Sequence, residues 1–147
     1  MFQRKFTQNS MAESVSYLLA YVCKAHRGKG QELLALAGLH PGQEMLLHRL
    51  WAGDGIPQSE LAGDLGVSPA TTTKMLDRMA KAGLLERRID SDDQRVSRVY
   101  LTSEGWSLQE TVAAIWNELE EISLANLTGD ERILLRRLLL QVLANLE

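Results

Sequence analysis

Apolar positions recur every three or four residues through most of the chain and give way to short extended runs only between residues 84 and 101. That pattern predicts a mainly helical protein carrying one small β-hairpin. Val15, Leu18, Leu19 and Val22 mark an amphipathic first helix that Leu33, Leu34 and Leu36 extend, with Gly28 and Gly30 breaking its middle. A second helix starts at Pro41, buries Leu46, Leu47, Leu50 and Trp51, and stops at Gly53-Asp54-Gly55; a short third runs over 57–65. Ser68 is placed as an N-cap with Pro69 at the first helical position, so a fourth helix should reach about Gly83. Extended runs over 84–89 and 96–101 then flank the polar Asp90-Ser91-Asp92-Asp93-Gln94-Arg95 and predict a hairpin. Thr102 or Ser103 caps a long helix striped by Leu108, Val112, Ile115, Trp116, Leu119 and Ile122. Thr128 and Glu131 have the spacing of a capping box for the last helix, which is apolar around so much of its circumference that burial on more than one side is expected. In a chain this small, the terminal helices of a second copy would supply that cover.

Composition refines the picture. A chain of 147 residues with 45% hydrophobic side chains suits one folding unit with a sizeable core. The formal charge of −3 speaks against a nucleic-acid partner when taken alone, but it is unevenly spread. Residues 106–147 hold three basic and seven acidic side chains, whereas residues 68–98 hold seven basic (Lys74, Arg78, Lys81, Arg87, Arg88, Arg95, Arg98) against five acidic. The acid excess is therefore C-terminal, and a local net of +2 sits where the short helices and the hairpin meet. The single Cys23 excludes an intramolecular disulfide and a multi-cysteine zinc site, and no apolar stretch suits a signal peptide or a bilayer span, so a cytoplasmic protein with no membrane partner is expected.

Two helices joined by a tight turn and followed by an arginine-rich hairpin have the order of a winged helix-turn-helix. With Leu76 turned inward, the helical period brings Thr72, Met79, Ala80 and Gly83 to the same side and leaves Ala70, Thr71, Lys74, Arg78 and Lys81 opposite. That small, hydroxyl-bearing, basic face suits base edges and phosphates, and Ser68 adds free N–H groups at the helix start. The run Gly83-Leu-Leu-Glu-Arg-Arg, then Asp90-Ser-Asp-Asp93-Gln-Arg95-Val, then Leu101-Thr-Ser-Glu-Gly105, together with Gly38-Leu-His-Pro-Gly-Gln43, resembles the MarR family of transcription regulators over roughly residues 38–105. The resemblance implies a homodimer built from the terminal helices, with two winged lobes reading a pseudo-palindromic double-stranded operator. It also implies that Arg95 enters the minor groove while Asp93 holds it in position; a guanidinium suits the negative potential there. Departures from the family pattern are Gln94 in place of a second arginine, the additional acid Asp92, Thr72 at a usually apolar position, and His40 and Pro57 at usual capping positions.

The expected organisation is an N-terminal dimerisation helix over 1–38, a winged helix-turn-helix over 39–105 and C-terminal dimerisation helices over 106–147. The DNA-binding set is Ser68, Ala70, Thr71, Lys74, Arg78, Lys81, Arg88, Asp93 and Arg95. Relatives that bind aromatic acids between dimer helices and lobe imply an effector set of Tyr17, Tyr21, Lys24, His26 and Arg27. Such an effector would favour a lobe spacing that no longer matches half-sites about 34–36 Å apart. Cys23, a lone helical cysteine, is expected to be a small buried hydrophobe, with peroxide sensing as the alternative. His26, His40 and His48 form no metal-ligand pair, and no nucleophile elbow or phosphate loop is present, so catalysis, metal and cofactor are not expected. A homodimeric repressor released by a small ligand is the leading expectation; a winged helix used only for protein contacts keeps the same fold.

Overall fold

The computed structural model describes residues 11–147, so the polar start of the chain, with Arg4 and Lys5, lies outside the described residues. The elements are α1 (Val15–Leu36), α2 (Gln43–Ala52), β1 (Ile56–Pro57), α3 (Gln58–Leu65), α4 (Pro69–Lys81), β2 (Leu85–Ile89), β3 (Ser97–Leu101), α5 (Ser103–Ser123) and α6 (Gly129–Leu146). The predicted hairpin is present and gains a third strand: β3 lies between β2 and β1, antiparallel to both. Local pattern does not reveal β1, because two residues become a strand only through the pairing of Ile56 with Val99 and Pro57 with Arg98.

Three caps form as their residue types require. Ser68, Thr102 and Thr128 accept hydrogen bonds from the amides of Thr71, Gly105 and Glu131, and Glu131 reaches back to the Thr128 amide to complete its capping box. The start of α2 differs from expectation. His40 and Pro41 occupy a turn, and Gly42 in a left-handed conformation precedes the first helical residue, while Gln43 Oε1 accepts from the His40 amide at 3.0 Å. In the next residue, Glu44 Oε2 is buried without a hydrogen-bond partner, and desolvation pushes its carboxyl above the ordinary range.

Helix α1 is continuous, which corrects the expected break at Gly28 and Gly30. Glycine lowers helix stability by about 1 kcal/mol, but here it permits close packing: a Cβ on Gly30 would lie 3.3 Å from Leu119 Cδ2 of α5. Between them α2, α3, α4 and the sheet, joined by Leu34 of α1 and Val112 of α5, enclose one core, in which Leu46, Leu47, Leu50, Leu61, Leu76, Met79 and Val99 are fully buried. Trp51 packs on this core and donates from Nε1 to the Gly105 carbonyl at 3.0 Å, joining α2 to the start of α5. Helix α6 buries no residue in the single chain, and its polar ties to the rest run through Arg132, to Glu121 and to the Leu124 carbonyl.

Candidate nucleic-acid interface

The interface begins at the turn between α3 and α4. Leu61 and Ala62 of α3 and Thr72, Leu76 and Met79 of α4 face the core, and Gly66 closes α3 in the left-handed region. A hydrogen bond from Gln58 Nε2 to Thr73 Oγ1, at 2.9 Å, ties the two helices together. Arg49 of α2 pairs with Glu60 at 3.0 Å and Asp64 at 2.7 Å, which fixes α3 against α2. Thr72 tolerates full burial because its hydroxyl donates to the Ser68 carbonyl one turn back, at 3.1 Å.

With those contacts inward, Ser68, Ala70, Thr71, Lys74, Arg78 and Lys81 are all exposed along the opposite side of α4. Lys74, Arg78 and Lys81 form no ion pair among the described residues. The hairpin is the reverse case: each of its four arginines is matched to a carboxylate. Arg87 pairs with Asp77 of α4, Arg88 with Glu86, Arg95 with Asp93 and Arg98 with Asp90. Arg88 also stacks on Tyr100, its guanidinium carbon 4.4 Å from the ring centre.

At the wing tip Arg95 grips Asp93 with Nε at 3.0 Å and Nη2 at 3.1 Å, and its backbone amide donates to the same carboxylate. The guanidinium beside it holds the Asp93 carboxyl below the usual range. Yet the Arg95 side chain remains 91% exposed, a cation held in one orientation and open to solvent. Asp90 accepts from the amides of Asp92 at 2.8 Å and Asp93 at 3.0 Å and from Arg98, which brings its carboxyl down to about 2. Asp90 and Arg98, these anchors of the wing, are absent from the set read in the sequence, because their pairing depends on which strands are neighbours.

Among the described residues, Tyr17, Lys24 and Arg27 of the expected effector set are divided between neighbouring hollows. Tyr17 and Tyr21 share a hydrogen bond of 3.2 Å, which pushes the Tyr17 phenol up, and Tyr17 lines an open hollow with Met11, Ser14, Ser16 and Ala20. Lys24 and Arg27 line a neighbouring hollow, whereas His26 leans towards Trp116 with ring centres 6.2 Å apart. Cys23 is exposed in that second hollow, which corrects its expected burial: among the described residues nothing covers this stretch of α1. Trp106 and Trp116 are likewise 41% and 44% exposed, while Trp51 is packed.

A helix-turn-helix whose second helix bears an exposed basic face, continued by a three-stranded sheet with an arginine at its tip, defines the winged helix-turn-helix class of DNA-binding folds. A profile of the MarR family matches residues 39–97. The chain is 30% identical to the HTH-type transcriptional regulator YdgJ of Bacillus subtilis (strain 168), over 80% of this chain and 69% of that one. It is 34% identical to the regulator YsmB of the same organism, over 59% of this chain and 60% of that protein. A cysteine-to-serine mutant of MarR from E. coli, solved in complex with operator DNA, is 28% identical and superposes with a TM-score of 0.76 over 88% of this chain and 93% of that one. The chain belongs to the MarR family of winged helix-turn-helix transcriptional regulators.

Proposed function

We propose that the chain acts as a homodimeric repressor that binds a pseudo-palindromic double-stranded operator and leaves it when a small aromatic acid binds. In this reading residues 39–105 form the DNA-binding lobe, and residues 1–38 and 106–147 carry the dimer contacts. Ser68, Ala70, Thr71, Lys74 and Arg78 supply sequence preference; Lys74, Arg78, Lys81, Arg88 and Arg95 supply phosphate and groove contacts; and Asp93 orients Arg95. The observation that carries the reading is the division of charge: α4 presents three cations free of ion pairs among the described residues, while the wing presents one highly exposed arginine already clamped in place. The operator complex of the MarR relative supports DNA as the partner. The dimer is supported by α6, where Leu138, Leu139, Leu140 and Leu143 are between 44% and 51% exposed.

Selection of sites from a random duplex pool tests this directly. The expected product is a palindrome with half-sites one helical turn apart, bound with steep salt dependence, and weakened about tenfold by Arg95→Ala in a dimer of unchanged size. Binding indifferent to sequence and to salt would favour a winged helix used for protein contacts. The exposure of Cys23 beside Lys24 and Arg27 favours a second, redox-sensing route of release. Peroxide should then free the wild type but not Cys23→Ser.

A further inference from the structure

Arg98 differs from the other hairpin arginines in joining a backbone carbonyl of one segment to a side-chain carboxylate of another. Its Nη1 donates to the Gly55 carbonyl at 2.9 Å, in the turn between α2 and β1, and its Nε donates to Asp90 at the base of the wing turn. The Asp90 side chain is only 13% exposed, and its carboxylate collects the Asp92 and Asp93 amides besides Arg98. Asp93 in turn clamps Arg95. A continuous series of hydrogen bonds thus leads from Gly55 through Arg98, Asp90 and Asp93 to the wing tip.

The near end of that series is anchored in the helical body. The Gly55 amide donates to the Val99 carbonyl at 3.0 Å, and Asp54 Oδ1 accepts from the Leu101 amide at 2.9 Å, so the turn grips β3 at two points. Gly55 sits at φ +72°, and a Cβ there would come within 2.8 Å of the Tyr100 ring. No other residue type fits without moving that ring or the turn. Three residues further on, the chain enters α3 and the helix-turn-helix.

We propose that Arg98 is a positioning residue for operator recognition: by bracing the Asp90 turn against the Gly55 carbonyl, it sets where the wing presents Arg95 relative to the helix-turn-helix. The proposal rests on the reading that Arg95 contacts DNA. Arg98 itself is spent on protein acceptors, with a side chain 36% exposed against 91% for Arg95. The planar guanidinium matters here, since two of its N–H groups serve acceptors from different segments at once, which a lysine ammonium on a flexible stem does far less well.

The test is a double-mutant cycle on operator affinity, with Arg98→Gln, Arg98→Lys and Asp90→Asn each made in the wild type and in Arg95→Ala. In the wild type, each is expected to weaken binding by roughly the tenfold that Arg95 contributes, with lysine failing to rescue. In Arg95→Ala, each should change affinity by less than about twofold, because the contact being positioned is already gone. Amide hydrogen exchange on the free protein should show Asp92 and Asp93 losing protection in the Arg98 variants while the Leu46, Leu47 and Leu50 amides keep theirs. Losses that multiply across the cycle would overturn the proposal, pointing to a direct phosphate contact or general damage to the lobe. Wild-type affinity in the Arg98 variants, with Arg95→Ala still impaired, would overturn it while leaving the wing reading intact. Wild-type affinity in Arg95→Ala would instead overturn the wing reading, and with it any role of Arg98 in recognition.

Discussion

Helices α4 and α6 are both apolar on at least one side, yet they solve the problem of burial differently. Helix α4 turns Thr72, Leu76 and Met79 into a core completed by α2, α3, the sheet, Leu34 of α1 and Val112 of α5, and leaves its cations outside. Helix α6, five residues longer, buries nothing, with Ile133 71% and Leu146 78% exposed. The winged lobe is thus a finished unit within one chain, and the terminal arm is a surface in need of cover. Apolar content says that a helix must be buried; the distribution of neighbours says by whom.

Changes on either side of this comparison should fail in different ways. The largest effect is expected from Leu139→Glu combined with Leu143→Glu, one turn apart on α6. If a second copy covers them, four leucines at about 1.5 kcal/mol each remove roughly 6 kcal/mol from the dimer. Sedimentation should then give a monomer whose lobe still melts cooperatively, and an unchanged dimer would break the distinction between arm and lobe. Next comes Leu76→Ala, expected to lower lobe stability by about 2–5 kcal/mol, read as a urea midpoint that does not depend on protein concentration.

A smaller contrast lies within the lobe. Removing the free cation in Lys74→Ala or Lys81→Ala should lower the slope of log affinity against log salt by about one per protomer, and so by about two for the dimer on its operator. Arg87→Ala should change that slope less, because Arg87 is already matched to Asp77. The smallest effect is expected at Glu44. Burial raises its carboxyl, so the stability it contributes is present below the ordinary carboxylate range and lost as pH rises through its raised value. Glu44→Gln should therefore stabilise the lobe at pH 7, by under about 1 kcal/mol at a half-solvated site, and the gain should vanish on acidification to about pH 4. A gain that persists in acid would exclude the unpartnered carboxylate as its source.

How far each feature can be read from sequence depends on how local its cause is. The Ser68 and Thr128 caps, the inward turn of Thr72, Leu76 and Met79 and the hairpin follow from residues close in sequence, and all are present. Gly83, expected on that inward face, instead lies beyond the end of α4 and is exposed. The break expected at Gly28 and Gly30 is absent because the packing of α5 outweighs a local propensity. Exposure of Cys23 depends on which elements cover α1, and β1 depends on a partner over 40 positions away. For the interface, the spacing on α4 identifies the exposed face, but charge counting treats all hairpin arginines alike. Only strand register reveals that Arg88 and Arg98 stand directly opposite each other, each relieved by its own carboxylate.

The self-matched hairpin has a kinetic consequence. A wing whose cations already have partners gains little from lying against an arbitrary run of phosphates, so on the proposed reading α4 alone supports the sliding search along non-operator DNA. The wing then engages late, once a narrow groove lies in register beneath Arg95. Association rates should follow the free cations of α4 and respond steeply to ionic strength, while the wing governs how long the operator is held.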